Sequence, residues 1–348
     1  MNRYQRQIIL PQIGENGQHK LAESRVLVIG AGGLGCALLP YLAASGVGKL
    51  GIVDGDRIEE SNLHRQVLYT AKDVGRFKAK IAKERLEQQN PDCAIQITNE
   101  FLSGKNALEL FADFDVIVDA TDRIGARYLI NDAAVLTQKP VVYGSIHRFE
   151  GQVSVFNYQN GPTYRCLFPQ AVEAPSCAEA GVLGTAVGLI GMLQAQEVMK
   201  IILGTGRVLS GELLIYNCLN ATQERFQFTK KEAPQITEAF YKEKHLKEEI
   251  QTLNFHPKLL EMGIFIDVRQ PEEQPRLNMP SLIEIPLGEL ETARQQLDQD
   301  ETFYVFCQSG KRAKVAVEQM RNWGFTRVTA LQEGARELSN ALRKSQVD

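Results

Sequence analysis

Residues 25–35 read RVLVIGAGGLG and residues 49–56 read KLGIVDGD. The β-branched run Val26, Val28, Ile29 marks a strand that feeds directly into Gly30-x-Gly32-x-x-Gly35, with Gly33 inside the turn. Asp54 ends the next strand, about twenty residues further on. This spacing predicts a βαβ unit that binds a nucleotide or dinucleotide. The first glycine permits the tight turn, the second lets backbone approach phosphate, and the third lets the helix pack on the strand. Asp54 stands where it can accept a ribose hydroxyl. Alone, the fingerprint announces an adenosine-containing ligand, and NAD or FAD fits it as well as ATP.

The next motifs point away from hydride chemistry. Asn62-Leu63-His64-Arg65-Gln66 follows the acidic strand, Gly75-Arg76-Phe77-Lys78 opens a helix, and Asp119-Ala120-Thr121-Asp122 closes the apolar strand over 116–118. A hydride-transfer site needs little beyond backbone amides for its pyrophosphate. Breaking an α–β phosphate bond needs cations at the leaving group and a carboxylate for magnesium. Arg65, Lys78 and Asp122 supply those three charges. One such side chain is ordinarily a solvated surface residue; three at the ends of successive strands make a site.

In these motifs the chain resembles, over residues 1–230, the MoeB/ThiF family of ubiquitin-activating-like adenylyltransferases. The matching stretches are RYQRQIIL at 3–10, GAGGLG at 30–35, VDGD at 53–56, SNLHRQ at 61–66, GRFKA at 75–79, DATD at 119–122 and CAEAGVLG at 177–184. The resemblance implies an α/β, Rossmann-like domain in which Asp54 binds ribose, Asn62 and Arg65 hold the triphosphate, Lys78 the phosphates and Asp122 a magnesium ion. It implies a homodimer in which Arg6 reaches the neighbour's ATP. The substrate it implies is the C-terminal Gly-Gly carboxylate of a small ubiquitin-like sulfur-carrier protein of the MoaD/ThiS kind, in molybdopterin or thiamine-type sulfur metabolism.

Members of that family usually carry two CxxC pairs around a structural zinc. Of the six cysteines here, at 36, 93, 166, 177, 218 and 307, none forms a CxxC pair. The first pair is reduced to Thr163-Tyr164-Arg165-Cys166, and none follows the strand expected over 224–229. A tetrahedral Cys₄ site cannot be assembled from one cysteine, so no structural zinc is expected. Cys36, Cys93 and Cys218 read as core filler. Cys177, in Pro175-Ser176-Cys177-Ala178-Glu179, precedes a helix start, a placement that favours a reactive thiol. The resemblance implies a loop cysteine that crosses the active site and can link to the carrier.

At 348 residues, 44% hydrophobic and 23% charged, the chain is large enough for two domains with real cores. A net charge of -3 and a pI near 6.1 give no electrostatic reason to expect nucleic acid or an anionic membrane. The start, MNRYQRQIIL, carries no signal-peptide cleavage pattern, and a cytoplasmic location is expected. The most apolar helix, over 181–203, contains Gln194, Gln196, Glu197 and Lys200, which predicts a buried core helix and not a membrane span.

After Thr229 the composition changes. Residues 231–252 are polar and charge-dense and read as a linker merging into a helix, and a second small α/β domain is expected over 253–348. Its strands over 264–268 and 302–306 end at Asp267-Val268-Arg269 and at Cys307-Gln308-Ser309-Gly310-Lys311-Arg312, with a helix expected over 313–323. A strand that delivers a cysteine into a short loop before a helix turns backbone N–H groups and the helix dipole toward the sulfur, a cradle for a thiolate or persulfide. With IDVRQPEE at 266–273, IPLGEL at 285–290 and GFTRVTALQEG at 324–334, this loop resembles a rhodanese domain. Related phosphatases have a loop one residue longer, so the four residues between Cys307 and Arg312 favour sulfur. The resemblance implies that Cys307 carries a persulfide received from a donor and that Arg312 serves the same loop. The motif's end departs from the family at Glu333-Gly334-Ala335 and Leu338. Two alternatives stay open on these residues: a Rossmann oxidoreductase, which leaves Arg65, Lys78, Asp122 and the second domain unexplained, and an adenylating enzyme whose second domain only docks.

Overall fold

The βαβ unit read from residues 25–56 is the centre of the first of two units into which the chain divides, Met1–Lys247 and Glu248–Asp348. The structure, a computed structural model, describes residues 3–170, 181–231, 234–246 and 250–345. Strands β1 (Arg25–Ile29), β2 (Lys49–Val53), β3 (Ala94–Thr98), β4 (Val116–Asp119) and β5 (Val141–His147) pair in parallel. β6 (Glu150–Phe156), β7 (Glu212–Asn217) and β8 (Thr222–Gln227) extend the sheet antiparallel, in the order β3-β2-β1-β4-β5-β6-β7-β8. Along β1, Val26 and Val28 enter one core cluster while Leu27 and Ile29 enter the other. Both faces are therefore covered, which explains why β1 is apolar without alternation.

On one face the helix Gly33–Ala44 packs beside the helix Gly184–Leu203. Among the described residues, the latter is the one helix long and apolar enough to cross a membrane by length and composition. Its Ala186, Val187, Ile190 and Val198 are buried in the sheet core, and the Nε2 of buried Gln194 donates to the Asp119 carbonyl at 2.7 Å. Glu197 accepts from the Leu209 N–H at 3.0 Å and pairs with Lys200, while Gln196 is exposed.

Residues 231–247, read from sequence as the start of a linker, fall within the first unit. The helix Glu238–His245 buries Tyr241 (1% exposed), whose hydroxyl donates to the Gly104 carbonyl at 3.0 Å. Its last residue places His245 Nε2 2.7 Å from Asp132 Oδ2. The exposed positions of this helix carry its charges, while the buried Tyr241 ring and the His245–Asp132 hydrogen bond dock it.

The second unit is a parallel five-stranded sheet in the order β11-β10-β12-β13-β9, from β9 (Thr252–Leu253), β10 (Ile264–Asp267), β11 (Leu282–Glu284), β12 (Phe303–Phe306) and β13 (Val328–Leu331). The helix after β12 runs Lys311–Asn322, two residues earlier than the sequence suggests, so Arg312 lies in its first turn. Cys307 leaves β12 beside the end of β10, where successive connections leave the sheet in opposite directions.

Candidate active site

Strand order reverses between β1 and β4, and the loops that follow them open the crevice in which α/β sheets hold ligands. Gly30 has φ +103°, and a Cβ there would lie 2.7 Å from the Ala120 carbonyl oxygen, so the turn after β1 can approach the turn after β4 only as glycine. Gly35 sits beneath the same turn, where a Cβ would meet the Gly30 carbonyl oxygen at 2.2 Å. The helix Gly33–Ala44 begins with Gly32 at its N-cap and no side chain capping it, which leaves its first N–H groups directed at whatever enters.

The cavity above this turn has a volume of about 270 Å³. Its walls include Gly30, Gly32, Gly33, Asp54, Asn62, Arg65, Lys78 and Asp122, so eight of the residues singled out from sequence converge there. Asp54 accepts from the Ala31 N–H at 2.7 Å and the Asp56 N–H at 2.8 Å. Burial pushes its carboxyl pKa up, against the pull of Lys78 and these two N–H groups. Lys78 is 6% exposed, and its Nζ lies 3.0 Å from Asp56 Oδ2. Arg65 Nη1 donates to the Ser61 carbonyl at 3.1 Å and lies 2.7 Å from His64 Nε2. Asn62 closes its own 3₁₀ turn, with Nδ2 3.3 Å from Ser61 Oγ. Gln66 Oε1 is buried with no partner among the described residues, an acceptor left for a ligand or water.

Asp122 is exposed on the cavity wall, whereas Asp119, three residues earlier, is buried and spends Oδ1 on the Thr121 N–H (3.0 Å) and hydroxyl (2.7 Å). Magnesium takes one or two carboxylates plus phosphate oxygens and water. Asp122 on a wall shared with Arg65, Lys78 and the glycine turn fits that donor set.

Other expected residues lie elsewhere. Arg6 is exposed on the short helix Gln5–Ile8 and is not among the walls of the cavity. Cys177 lies outside the described residues. Cys166, the remnant of the first CxxC, is buried with its Sγ 3.5 Å from Thr163 Oγ1 and 3.8 Å from the Lys231 carbonyl. Sequence reading passed over Arg123 and Arg127, which also line the cavity. Their spacing was the available signal: both follow Asp122 within five residues and begin a helix, Ile124–Thr137.

In the second unit Cys307 is fully buried (0% exposed), and its carbonyl accepts from the Ala335 N–H at 3.0 Å. Arg312 closes a bidentate pair on Glu273, with Nη1–Oε1 2.5 Å and Nη2–Oε2 2.6 Å. The Arg312 bond lowers the Glu273 pKa from its ordinary 4.5 to about 2. Buried Arg269 pairs with Asp267 and donates from Nη1 to Gln308 Oε1 at 3.1 Å, which braces the loop from beneath.

A glycine turn at a sheet switch point, ringed by the basic side chains of Arg57, Arg65, Lys78, Arg123 and Arg127 and by exposed Asp122, has the make-up of a nucleotide-binding enzyme site. Residues 4–237 match the ThiF family and residues 243–341 the rhodanese-like domain. The chain belongs to the ThiF family and carries a rhodanese-like domain after it. It is 50% identical to the sulfur carrier protein adenylyltransferase of Thermus thermophilus, over 64% of this chain and 85% of that protein. With the adenylyltransferase and sulfurtransferase MOCS3 of Drosophila yakuba it shares 36% identity over 92% of this chain and 78% of that one. A crystal structure of E. coli MccB with MccA-N7isoASN shares the fold at TM-score 0.60 and 20% identity, covering 68% of this chain and 74% of that one. The family removes the oxidoreductase alternative.

Proposed function

We propose that the chain adenylates the C-terminal glycine carboxylate of a small ubiquitin-like sulfur-carrier protein and then transfers sulfur to it from a persulfide on Cys307. The observation that carries the first half is the convergence of Arg65, Lys78 and Asp122 on the cavity over the glycine turn. ATP would lie across Gly30–Gly35 with its ribose at Asp54. Magnesium, held by Asp122, would offset phosphate charge. A carboxylate oxygen of the carrier attacks the α-phosphorus, the bond to the bridging oxygen breaks, and pyrophosphate leaves. Lys78 releases Asp56 and, with Arg65, stabilises the negative charge that grows on the leaving group. Arg6 of a second copy would complete the phosphate site in a homodimer.

In the second half, the terminal sulfur of a Cys307 persulfide, loaded by a persulfide donor, attacks the acyl carbon and displaces AMP. The product is an acyl disulfide. A thiolate, with Cys177 the candidate within the chain, then attacks the Cys307 sulfur, releasing the carrier thiocarboxylate and leaving a cysteine disulfide for an external thiol to reduce. Covalent fusion holds the two reactive centres at high effective concentration.

Pyrophosphate exchange into ATP tests the first half: it should require magnesium and a carrier with an intact terminal glycine pair. Exchange that proceeds equally without any carrier would sink the reading. The full burial of Cys307 and the commitment of Arg312 to Glu273 favour a second reading, in which the rhodanese-like domain docks a partner without carrying sulfur. Transfer of labelled sulfur from a persulfide donor to Cys307 separates the two.

A further inference from the structure

Tyr69 follows Asn62 and Arg65 along the chain, yet it is buried (5% exposed) and not among the described walls of the nucleotide cavity. Its hydroxyl lies 2.7 Å from the Ala31 carbonyl oxygen and 3.3 Å from the Lys78 carbonyl oxygen. A phenol has one proton to donate, and the shorter contact takes it. Burial pushes the Tyr69 pKa up, so that proton stays on the oxygen. The Cys36 thiol, 3.4 Å from the same carbonyl, is a second and weaker donor.

Ala31 is therefore clamped on both sides. Asp54 Oδ2 accepts from its N–H at 2.7 Å, and the Tyr69 hydroxyl holds its C=O. Sterics cannot replace the second bond. Gly32, at φ -77° and ψ -151°, lacks the Cβ that would resist rotation of the Ala31–Gly32 peptide. In a trans peptide the N–H points opposite to the C=O. Holding the Ala31 carbonyl on the Tyr69 side thus fixes the Gly32 N–H on the other. Gly32 lines the nucleotide cavity, whereas Ala31 is fully buried and is not among its described walls.

Resting on the adenylation reading, we infer that Tyr69 is a positioning residue whose hydroxyl turns the Gly32 N–H toward the phosphates of bound ATP. The side chain does not touch the nucleotide; it acts through one peptide plane. An N–H fixed before the ligand arrives needs no reorientation as charge grows on the phosphates. The same hydroxyl lies beside the carbonyl of Lys78, the first residue of the helix Lys78–Gln89. The glycine turn and the start of the Lys78 helix are thereby held against one point.

The test uses full-length protein labelled at the carbonyl carbon of alanine and the amide nitrogen of glycine. The sequence has two Ala-Gly pairs, 31–32 and 180–181, so a carbonyl-filtered NMR spectrum contains two amide signals, and Ala180→Ser deletes the one that is not Gly32. Saturation with magnesium and α,β-methylene ATP should move the Gly32 proton downfield. In Tyr69→Phe, which keeps the ring and removes the donor, that movement should largely vanish. Calorimetric affinity for the analogue should fall about tenfold, while affinity for adenosine, which has no phosphate, stays within about threefold. Equal loss for adenosine would assign Tyr69 to packing alone and overturn the inference, as would undiminished affinity for the analogue. If the variant does not fold, wild type decides: a Gly32 signal unmoved by bound analogue also overturns it. A wild type that binds the analogue but exchanges no pyrophosphate with the carrier refutes the adenylation reading, an outcome distinct from these.

Discussion

Lys78 Nζ rests 3.0 Å from Asp56 Oδ2 with its ammonium almost wholly withdrawn from solvent. A lysine so placed is preorganised: it exchanges one anion for another without paying for fresh desolvation when phosphate arrives. Asp56 holds the charge in place until then.

Replacing Lys78 by alanine therefore removes a cation from the leaving group and strands Asp56. Pyrophosphate exchange should fall by about 10²-fold or more. The thermal midpoint should change little, because Asp56 is half-exposed and can be hydrated. Exchange at the wild-type rate would remove Lys78 from the mechanism.

Arg6 is not among the walls of its own chain's cavity, so its expected contribution is in trans. Arg6→Ala and Lys78→Ala proteins, each inactive alone, should recover activity on mixing, since a mixed dimer contains one intact site. No recovery, with subunit exchange verified by mass, argues against shared sites.

Asp132 is 0% exposed and accepts from Arg165 at 2.7 Å through both oxygens, with His245 Nε2 at 2.7 Å. Burial pushes its pKa up, but the bonds from Arg165, His245 and Asn131 outweigh burial and hold it below the ordinary value. A depressed carboxylate stabilises the fold above its unfolded pKa and loses that contribution as pH falls through the folded one. Asp132→Ala should cost about 3–5 kcal/mol in denaturant unfolding at pH 7. This cluster, and not zinc, would tie residues 238–245 to the first unit; elemental analysis showing stoichiometric zinc would contradict that.

Glu273→Gln breaks the bidentate hold on Arg312. The pair is partly exposed, so its loss should cost no more than about 1 kcal/mol. Because the Glu273 pKa drops from 4.5 to about 2, wild type keeps this stabilisation above pH 4.5 and loses it progressively toward pH 2. With Arg312 released, alkylation of Cys307 by a charged haloacetate should quicken; an unchanged rate would show that Glu273 does not guard the thiol.

Cys307→Ala should divide the reaction. The variant should still form carrier adenylate from ATP, yet yield no thiocarboxylate with a persulfide donor. Intact mass of the carrier decides, and full thiocarboxylate yield would reduce the second unit to a docking module.

Much of the candidate site was legible because its chemistry is local. Gly30, Gly32, Gly33, Asp54, Lys78 and Asp122 each stand close to the end of a recognisable strand or the start of a helix, Arg65 lies in the connection between two of them, and the parallel sheet collects such ends on one edge. Arg127 gave only the weaker sign of its spacing after Asp122, since an arginine inside a helix pattern reads as a solvated face until the strand β5 is known to lie against it. The docking of the helix 238–245 was hidden for the same reason: the partner of His245 lies 113 residues away in sequence.

Sequence alone determined the α/β class, the glycine turn, the pairing of an adenylating fold with a rhodanese-like one, and the loss of the CxxC pairs, because each depends on residue type at short fixed spacing. Tertiary structure alone decided which cation faces which anion. It paired Lys78 with Asp56 and Arg312 with Glu273, placed Arg127 on the cavity wall, and withdrew Cys307 from solvent. Charge interactions depend on distance through space and on burial, and neither is encoded at a readable interval along the chain.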